Sequence, residues 1–273
     1  MKKRILPIIL CTVAVLTITI LFSGCEKVID IPLQQSDLKI VVEGTIIDKL
    51  QPFSIRITST QDFFSKEKAP VVTDAMVYII DNTGIADTLF YTTDGVYKTN
   101  SNRIAVVGRT YNLLILRGGN TYTAQTEMQP KFKMDSLNYY YAKANAFIPA
   151  GFKIIMSGQE PPEPGNFLRI IALKNDSIVV DPFKYIVYDD VFVNGSYIVS
   201  ELPYNFNYND SVQIVTLGIT KGYNNYLVAL STQQSNSGSP FDSPPANPPS
   251  NLSKGAIGYF TAASVDTLAL RIQ

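Results

Sequence analysis

The chain has 273 residues, no histidine, no tryptophan, and 23 basic against 23 acidic residues. Lack of histidine removes the usual general base near neutral pH and the commonest metal ligand. With no basic run and a balanced charge, there is no electrostatic footprint for nucleic acid.

Met1-Lys2-Lys3-Arg4 puts three positive charges ahead of an apolar run from Ile5 to Phe22, the order of a secretory signal peptide. The run is near the lower length limit for a membrane-spanning helix, so an uncleaved anchor helix is the alternative. Thr12, Thr17 and Thr19 dilute the run, which ends in Leu21-Phe22-Ser23-Gly24-Cys25. This ending resembles the lipobox of bacterial lipoproteins, in which the cysteine thiol is acylated and the bond before it is cut. The resemblance implies a signal peptide over 1–24, a palmitate-type lipid on Cys25, and a tether over 25–36. Each buried methylene contributes about 0.8 kcal/mol, and one acyl chain holds only reversibly, so two or three hold effectively permanently. Glu26-Lys27 follows the cysteine with no aspartate next. We therefore expect the outer membrane, with the periplasmic and cell-surface leaflets both open. Cys11 leaves with the leader, and Cys25 becomes the only mature cysteine, which excludes disulfides inside the folded part. Loss of Lys2, Lys3 and Arg4 leaves 20 basic against 23 acidic residues.

Short strand signals follow. Leu38, Ile40 and Val42 alternate with their neighbours, as do Phe53, Ile55 and Ile57, and a period of two marks half-buried strands. An apolar run from Ala75 to Ile80 ends at Asp81-Asn82-Thr83-Gly84. Asp94-Gly95 and Gly118-Gly119-Asn120 read as hairpin turns, the second between Tyr111–Arg117 and Thr121–Thr126. Strands about every ten residues with turn chemistry between them predict a β-sandwich over 37–130. Gln129-Pro130-Lys131 reads as a linker. A second β-rich domain is expected over 131–273, with strands at 152–156, 167–173, 177–180, 185–188, 211–217 and 268–272. Asn194-Gly195 predicts a two-residue hairpin between Val191-Phe192-Val193 and Tyr197-Ile198-Val199. Tyr223, Tyr226, Leu227 and Leu230 form an apolar stripe on a helix near 222–234. Ser235 to Pro249 reads as an extended loop, whose Pro244, Pro245, Pro248 and Pro249 could also suit a polyproline ligand. Gly255 and Gly258 are expected to ease a turn or a close backbone approach. The fold class is thus mostly β: two sandwich domains and one amphipathic helix in the second.

Chemistry is sparse. A Ser-His-Asp triad is impossible, no Gly-x-Ser-x-Gly elbow occurs, and neither a phosphate loop nor a dinucleotide fingerprint is present. No cofactor or metal site is expected. Paired carboxylates could still hydrolyse a glycoside. Asp189, Asp190, Glu160 and Glu163 are the candidates, although Glu160 to Gly165 reads as an exposed loop of solvated acids and no spacing singles out a pair. Tyr204-Asn205-Phe206-Asn207-Tyr208-Asn209 alternates ring and amide. On a strand, Tyr204, Phe206 and Tyr208 would share one face as a sugar platform; the competing reading is core aromatics with solvated asparagines. Tyr139-Tyr140-Tyr141 could form an exposed patch, with at least one ring pointing inward on a strand. Thr88, Ser136, Ser177, Ser211 and Thr267 each follow an aspartate and precede an apolar residue. That order is similar to a periplasmic O-glycosylation signal, and equally to the grammar of a strand start.

Two resemblances follow from ordered motifs. Val42-x-Gly44, Ala75-x-Val77, Asp94-Gly95-x-Tyr97 and Gly108-x-Thr110-Tyr111-x-Leu113 resemble a prealbumin-like or carboxypeptidase-regulatory-like sandwich, a module that is seldom catalytic. Adding Cys25 to Asp30, Asp190-x-Phe192-x-Asn194-Gly195, Asn209 to Val212, Asn247-Pro248-Pro249-x-Asn251 and Gly255 to Phe260, the whole mature chain resembles an uncharacterised family of outer-membrane lipoproteins of polysaccharide-foraging bacteria, the domain of unknown function DUF4249. Members often sit beside TonB-dependent transporters. The resemblance implies a non-catalytic accessory or binding subunit of an envelope transporter or other envelope protein. A surface glycan-binding lipoprotein is the first alternative and a carboxylate-dependent glycosidase the second.

Overall fold

A computed structural model describes residues 38–62, 65–144, 149–179, 185–236 and 247–273. The leader, Cys25, the tether, Pro244 and Pro245 lie outside the described residues. Among the described residues the fold is mostly β with one helix. Seven strands make its first half: β1 (Ile40–Ile47), β2 (Ser54–Ser59), β3 (Met76–Asp81), β4 (Ala86–Tyr91), β5 (Val96–Thr99), β6 (Thr110–Arg117) and β7 (Asn120–Glu127). The second half holds β8 (Lys133–Ala142), β9 (Gly151–Gln159), β10 (Phe167–Lys174), β11 (Ser177–Ile178), β12 (Ile186–Asp189), β13 (Tyr197–Glu201), β14 (Ser211–Ile219), α1 (Lys221–Ser235) and β15 (Ile257–Arg271).

Two hairpin turns form where the sequence predicts them. Asp94 and Gly95 take φ of 50° and 77°, and Gly118 and Gly119 take 54° and 75°, the left-handed pair that closes two strands with matching twist. One long sheet runs β11-β10-β14-β15-β1-β2-β5-β4-β3-β6-β7, with β12 also on β10. It curls until β7 nears β15 again, where the Ala262 N–H donates to Thr126 Oγ1 at 3.2 Å. Val42, Ile55, Ile57, Val77, Ile79, Leu113 and Ile115 fill the interior as a first core. A small sheet, β13-β9-β8, covers the other end of the long one. Between them Ile154, Met156, Ile170, Val212, Ile214 and Phe206 form a second core.

Strand β15 links the two. It is parallel to β1 from Ile257 to Ala263 and antiparallel to β14 from Ser264 to Arg271. Successive side chains alternate faces. On one face Phe260 and Ala262 enter the first core, and Leu268, Leu270 and Ile272 reach the second. On the other, Ala263 and Val265 meet the helix. Gly258 sits against β1 with φ of 96°, and a Cβ there would stand 2.1 Å from the Val42 carbonyl oxygen, so only glycine fits. Met128 belongs to the first core and Phe132 to the second. At the C-terminus the expectation is corrected: Leu252, Ala256, Phe260 and Ala262 belong to the first core, because β15 completes both. Leu38–Gln273 is accordingly one compact unit.

Helix α1 starts where Thr220 Oγ1 accepts the Tyr223 N–H, a side-chain N-cap. Its stripe packs as expected: Tyr223 and Leu227 are buried, Tyr226 and Leu230 half-buried, against Leu217, Ile219 and Val265. None of the described helices is long and apolar enough to cross a membrane.

The predicted 194–195 hairpin does not form. Residues 191–195 are consecutive turns, and the flanking strands go to different sheets, β12 to β10 and β13 to β9. The local signal loses to a tertiary one, because the Gly195 N–H is taken by the Glu160 carboxylate at 2.6 Å.

Candidate functional site

Where β12 leaves the long sheet and β13 joins the small one, the second core opens to solvent in a cavity of about 490 Å³. Phe132, Met156, Phe167, Leu168, Val187 and Ile198 make its walls, and Tyr188, Phe192 and Val199 its rim. Pro130 of the linker lies over its floor at Gly218, where a Cβ would be 2.0 Å from the Pro130 carbonyl oxygen. Glu160, Asp189 and Asp190 line the same cavity, and among the described residues no lysine or arginine does.

The turn over the cavity is tightly held. Asn194 Nδ2 donates to the Pro162 carbonyl at 3.1 Å, Gln159 Nε2 to the Gly195 carbonyl at 2.9 Å, and the Glu160 N–H to the Ser196 carbonyl at 3.1 Å. Asp190 Oδ2 accepts the N–H groups of Gly165 and Asn166 at 2.7 and 2.9 Å. Asn166 Nδ2 bonds Glu160 Oε1 at 3.3 Å and also the Glu163 carbonyl. Loops 160–166 and 190–196 are thereby locked to each other. The lock leaves apolar side chains outside it: Phe192 is 96% exposed and Val191 69%. Flexible tips expose such residues at no ordering cost, whereas a fixed one has already lost its entropy.

Glu160 corrects the expectation of solvated acids in an exposed loop, being only 5% exposed. Burial raises its carboxyl above the ordinary carboxylate range; the Gly195 N–H pulls it down and the neighbouring Asp190 charge adds to the rise. A carboxyl raised by burial in an apolar wall, beside a second carboxylate, is the arrangement a general acid needs. Yet both Glu160 oxygens are engaged by Gly195 and Asn166, which makes the group a brace for the turn as well.

The other predicted sites separate. The expected aromatic platform is corrected: residues 204–209 form no strand beyond an isolated bridge at Phe206, which is 1% exposed in the second core. Tyr204 is half-buried and Tyr208, on a turn, is 72% exposed. The three rings share no face. Of the tyrosine run, Tyr139 packs on the second core while Tyr140 and Tyr141 are exposed, Tyr140 donating to Glu201 Oε2 at 2.7 Å. Thr88 and Ser177 are exposed, and Ser136, Ser211 and Thr267 are half-buried. Three of the preceding aspartates have structural duties: Asp87 pairs with Arg103, Asp210 with Lys174, and Asp266 accepts the Met134 N–H. Pro248 and Pro249 lead into a loop that Asn251 fastens to Phe260.

Two further pockets were not legible. Tyr223, Tyr226 and Tyr259 pack with centroids 5.2–6.0 Å apart beside Arg169, which stacks on Tyr185 and donates to Tyr223 Oη at 3.0 Å. Burial pushes the Tyr226 hydroxyl up to about 12. The rings lean on one another and offer no flat stacking face. In the first half, Asp81 and Asp87 meet Arg109 and Arg103 around a cavity of about 170 Å³. Among the described residues no group of three or more His, Cys, Asp or Glu could hold a metal.

The family model for a domain of unknown function, DUF4249, matches residues 26–269. The chain belongs to this family. The DUF4249 match spans both cores and the cleft, so the cleft is part of the family's own domain. No curated protein matches the chain. Among solved structures, a two-domain fibronectin type III segment of chicken tenascin aligns at 8% identity with a TM-score of 0.22, covering 68% of this chain and 90% of that one. A likeness that low carries no argument.

Proposed function

We propose that this DUF4249 protein is a lipid-anchored, non-catalytic binding subunit of the outer membrane that serves an envelope transporter, and that the cleft between β12 and β13 is its binding site. One observation carries the reading: a turn fixed by several hydrogen bonds presents Val191 and Phe192 to solvent beside an apolar cavity of about 490 Å³. Exposed apolar patches of this kind mark interaction sites in soluble domains. The lipobox-like ending at Cys25 supports the anchor. Thr88 and Ser177, being exposed, are the proposed O-glycosylation positions, to be tested by intact mass of the native protein against Thr88→Ala and Ser177→Ala.

The test is capture of the tagged lipoprotein from detergent-solubilised outer membrane. A defined membrane partner should come down with the wild type and be lost with Phe192→Ser. Equal capture by both sinks the assignment of the cleft. Cys25→Ala should leave an uncleaved or soluble form; a mature-sized band in the membrane fraction would refute lipidation. The glycosidase reading is kept as second because Glu160 is raised by burial and lies with Asp190 in one cavity. Turnover of any glycan that disappears in Glu160→Gln would establish it over the binding reading.

A further inference from the structure

Strand β13 differs from the other outer strands. A sheet edge offers unpaired N–H and C=O groups to any extended chain, and proteins blunt such edges with charge, proline, bulges, brevity or cover. On β7, the Ser253 N–H and Asn251 Nδ2 donate to the Thr123 and Gln125 carbonyls, and Ser253 Oγ takes the Thr123 N–H. On β8, a break in register between Met134 and Ser136 and the Asp266 carboxylate on the Met134 N–H disrupt the edge. Strands β11 and β12 are two and four residues long. Strand β13 reads Tyr-Ile-Val-Ser-Glu, pairs with β9 without a break, and has no second neighbour among the described residues.

Its free groups can be assigned. The Glu160 N–H bonds the Ser196 carbonyl and the Leu202 N–H bonds the Ile154 carbonyl. Antiparallel pairing alternates inward and outward groups, so Ile198 and Ser200 turn theirs to β9 and Tyr197, Val199 and Glu201 turn theirs outward. Beside this edge lie the apolar cavity and its acids, Glu160, Asp189 and Asp190, without a base on the lining among the described residues.

We propose that β13 is a docking edge that takes, as an added strand, an extended segment of a partner protein in which apolar residues alternate with lysine or arginine. The inference rests on the cleft being the binding site. Backbone pairing supplies the register, the cavity takes the apolar side chains, and the acids select positive charge. The same acids disfavour the anionic bilayer surface that an exposed Val-Phe tip would otherwise enter.

The full lipoprotein in nonionic detergent is titrated against a labelled short peptide of alternating Val and Lys, followed by fluorescence anisotropy. We expect saturable binding, weakened about tenfold by Val199→Pro, weakened also by Asp189→Lys, and absent when Glu replaces Lys in the peptide. Val199→Pro removes an outward N–H, and edges tolerate proline. Should that variant unfold, an N-methylated peptide unable to pair with the edge gives the equivalent loss. No binding by the wild type, binding indifferent to both the proline and the N-methyl groups, or preference for phosphatidylglycerol vesicles over the peptide overturns the proposal. If Phe192→Ser abolishes partner capture while the peptide fails to bind, the cleft stands and the docking edge alone falls. If Phe192→Ser leaves capture intact, the cleft itself is wrong.

Discussion

Each half of the molecule has a cavity lined by a pair of buried carboxylates, and the two cavities treat their pairs in opposite ways. In the first half, Asp81 and Asp87 meet guanidinium groups, Arg109 at 2.8 Å and Arg103. Burial would raise the Asp81 carboxyl, but bonds from Thr83, Ile85 and Arg109 together outweigh it and hold it below the usual range. In the second, Glu160 and Asp190 meet backbone N–H groups and one amide, and burial leaves Glu160 raised. Full cations line the first cavity, of about 170 Å³, while the second, of about 490 Å³, has none among the described residues. Carboxylates that find their cations inside the fold serve stability. Those left with dipoles alone keep an unmet preference for positive charge, which a ligand can satisfy.

That contrast can be broken by substitution. Asp81→Ala should have the largest effect, because it strands Arg109 and the N–H groups of Thr83 and Ile85; we expect a loss of about 2–4 kcal/mol, read as a lowered midpoint in denaturant. A loss near that of an exposed ion pair, below about 1 kcal/mol, would erase the distinction. Asp190→Ala frees two N–H groups at Gly165 and Asn166 and should cost about 1–3 kcal/mol while weakening partner capture. Retention of full capture would show that the turn needs no lock.

Glu160→Gln sharpens the comparison through pH. A carboxyl raised in the folded state binds its proton more tightly there than in the unfolded chain, so its contribution to stability falls as pH rises from its ordinary 4.5 through the raised value. Wild type should therefore lose stability across that window and the variant should not. Asp81 and Asp210 are lowered and act the other way, losing stability as pH falls below their ordinary 3.8. Identical thermal profiles for wild type and Glu160→Gln above 4.5 would contradict the burial argument. Phe192→Ser should be the mildest, within about 0.5 kcal/mol of wild type, since the ring touches little; a clear drop in Tm would mean that the tip packs inward.

Periodicity and turn chemistry made most of the fold legible. Asp94-Gly95, Gly118-Gly119 and the 223–230 stripe are local signals, and each produced its element. Failures came where a partner distant in sequence decided. Asn194-Gly195 has the composition of a hairpin, but the carboxylate of Glu160 claims its N–H and turns the chain toward another sheet. Phe206 alternates with amides as a platform ring would, yet it bridges Phe152 and is buried. The acids of the cleft were visible as residues and invisible as a group, because nothing in the sequence brings the 160 and 190 loops together.

The shared strand β15 imposes an order on folding. Val41 finds its partner in Ile257, at opposite ends of the described chain, and contacts so distant in sequence make folding slow. Neither core can close until residues 257–271 have been made, so the nascent chain has no early native stopping point.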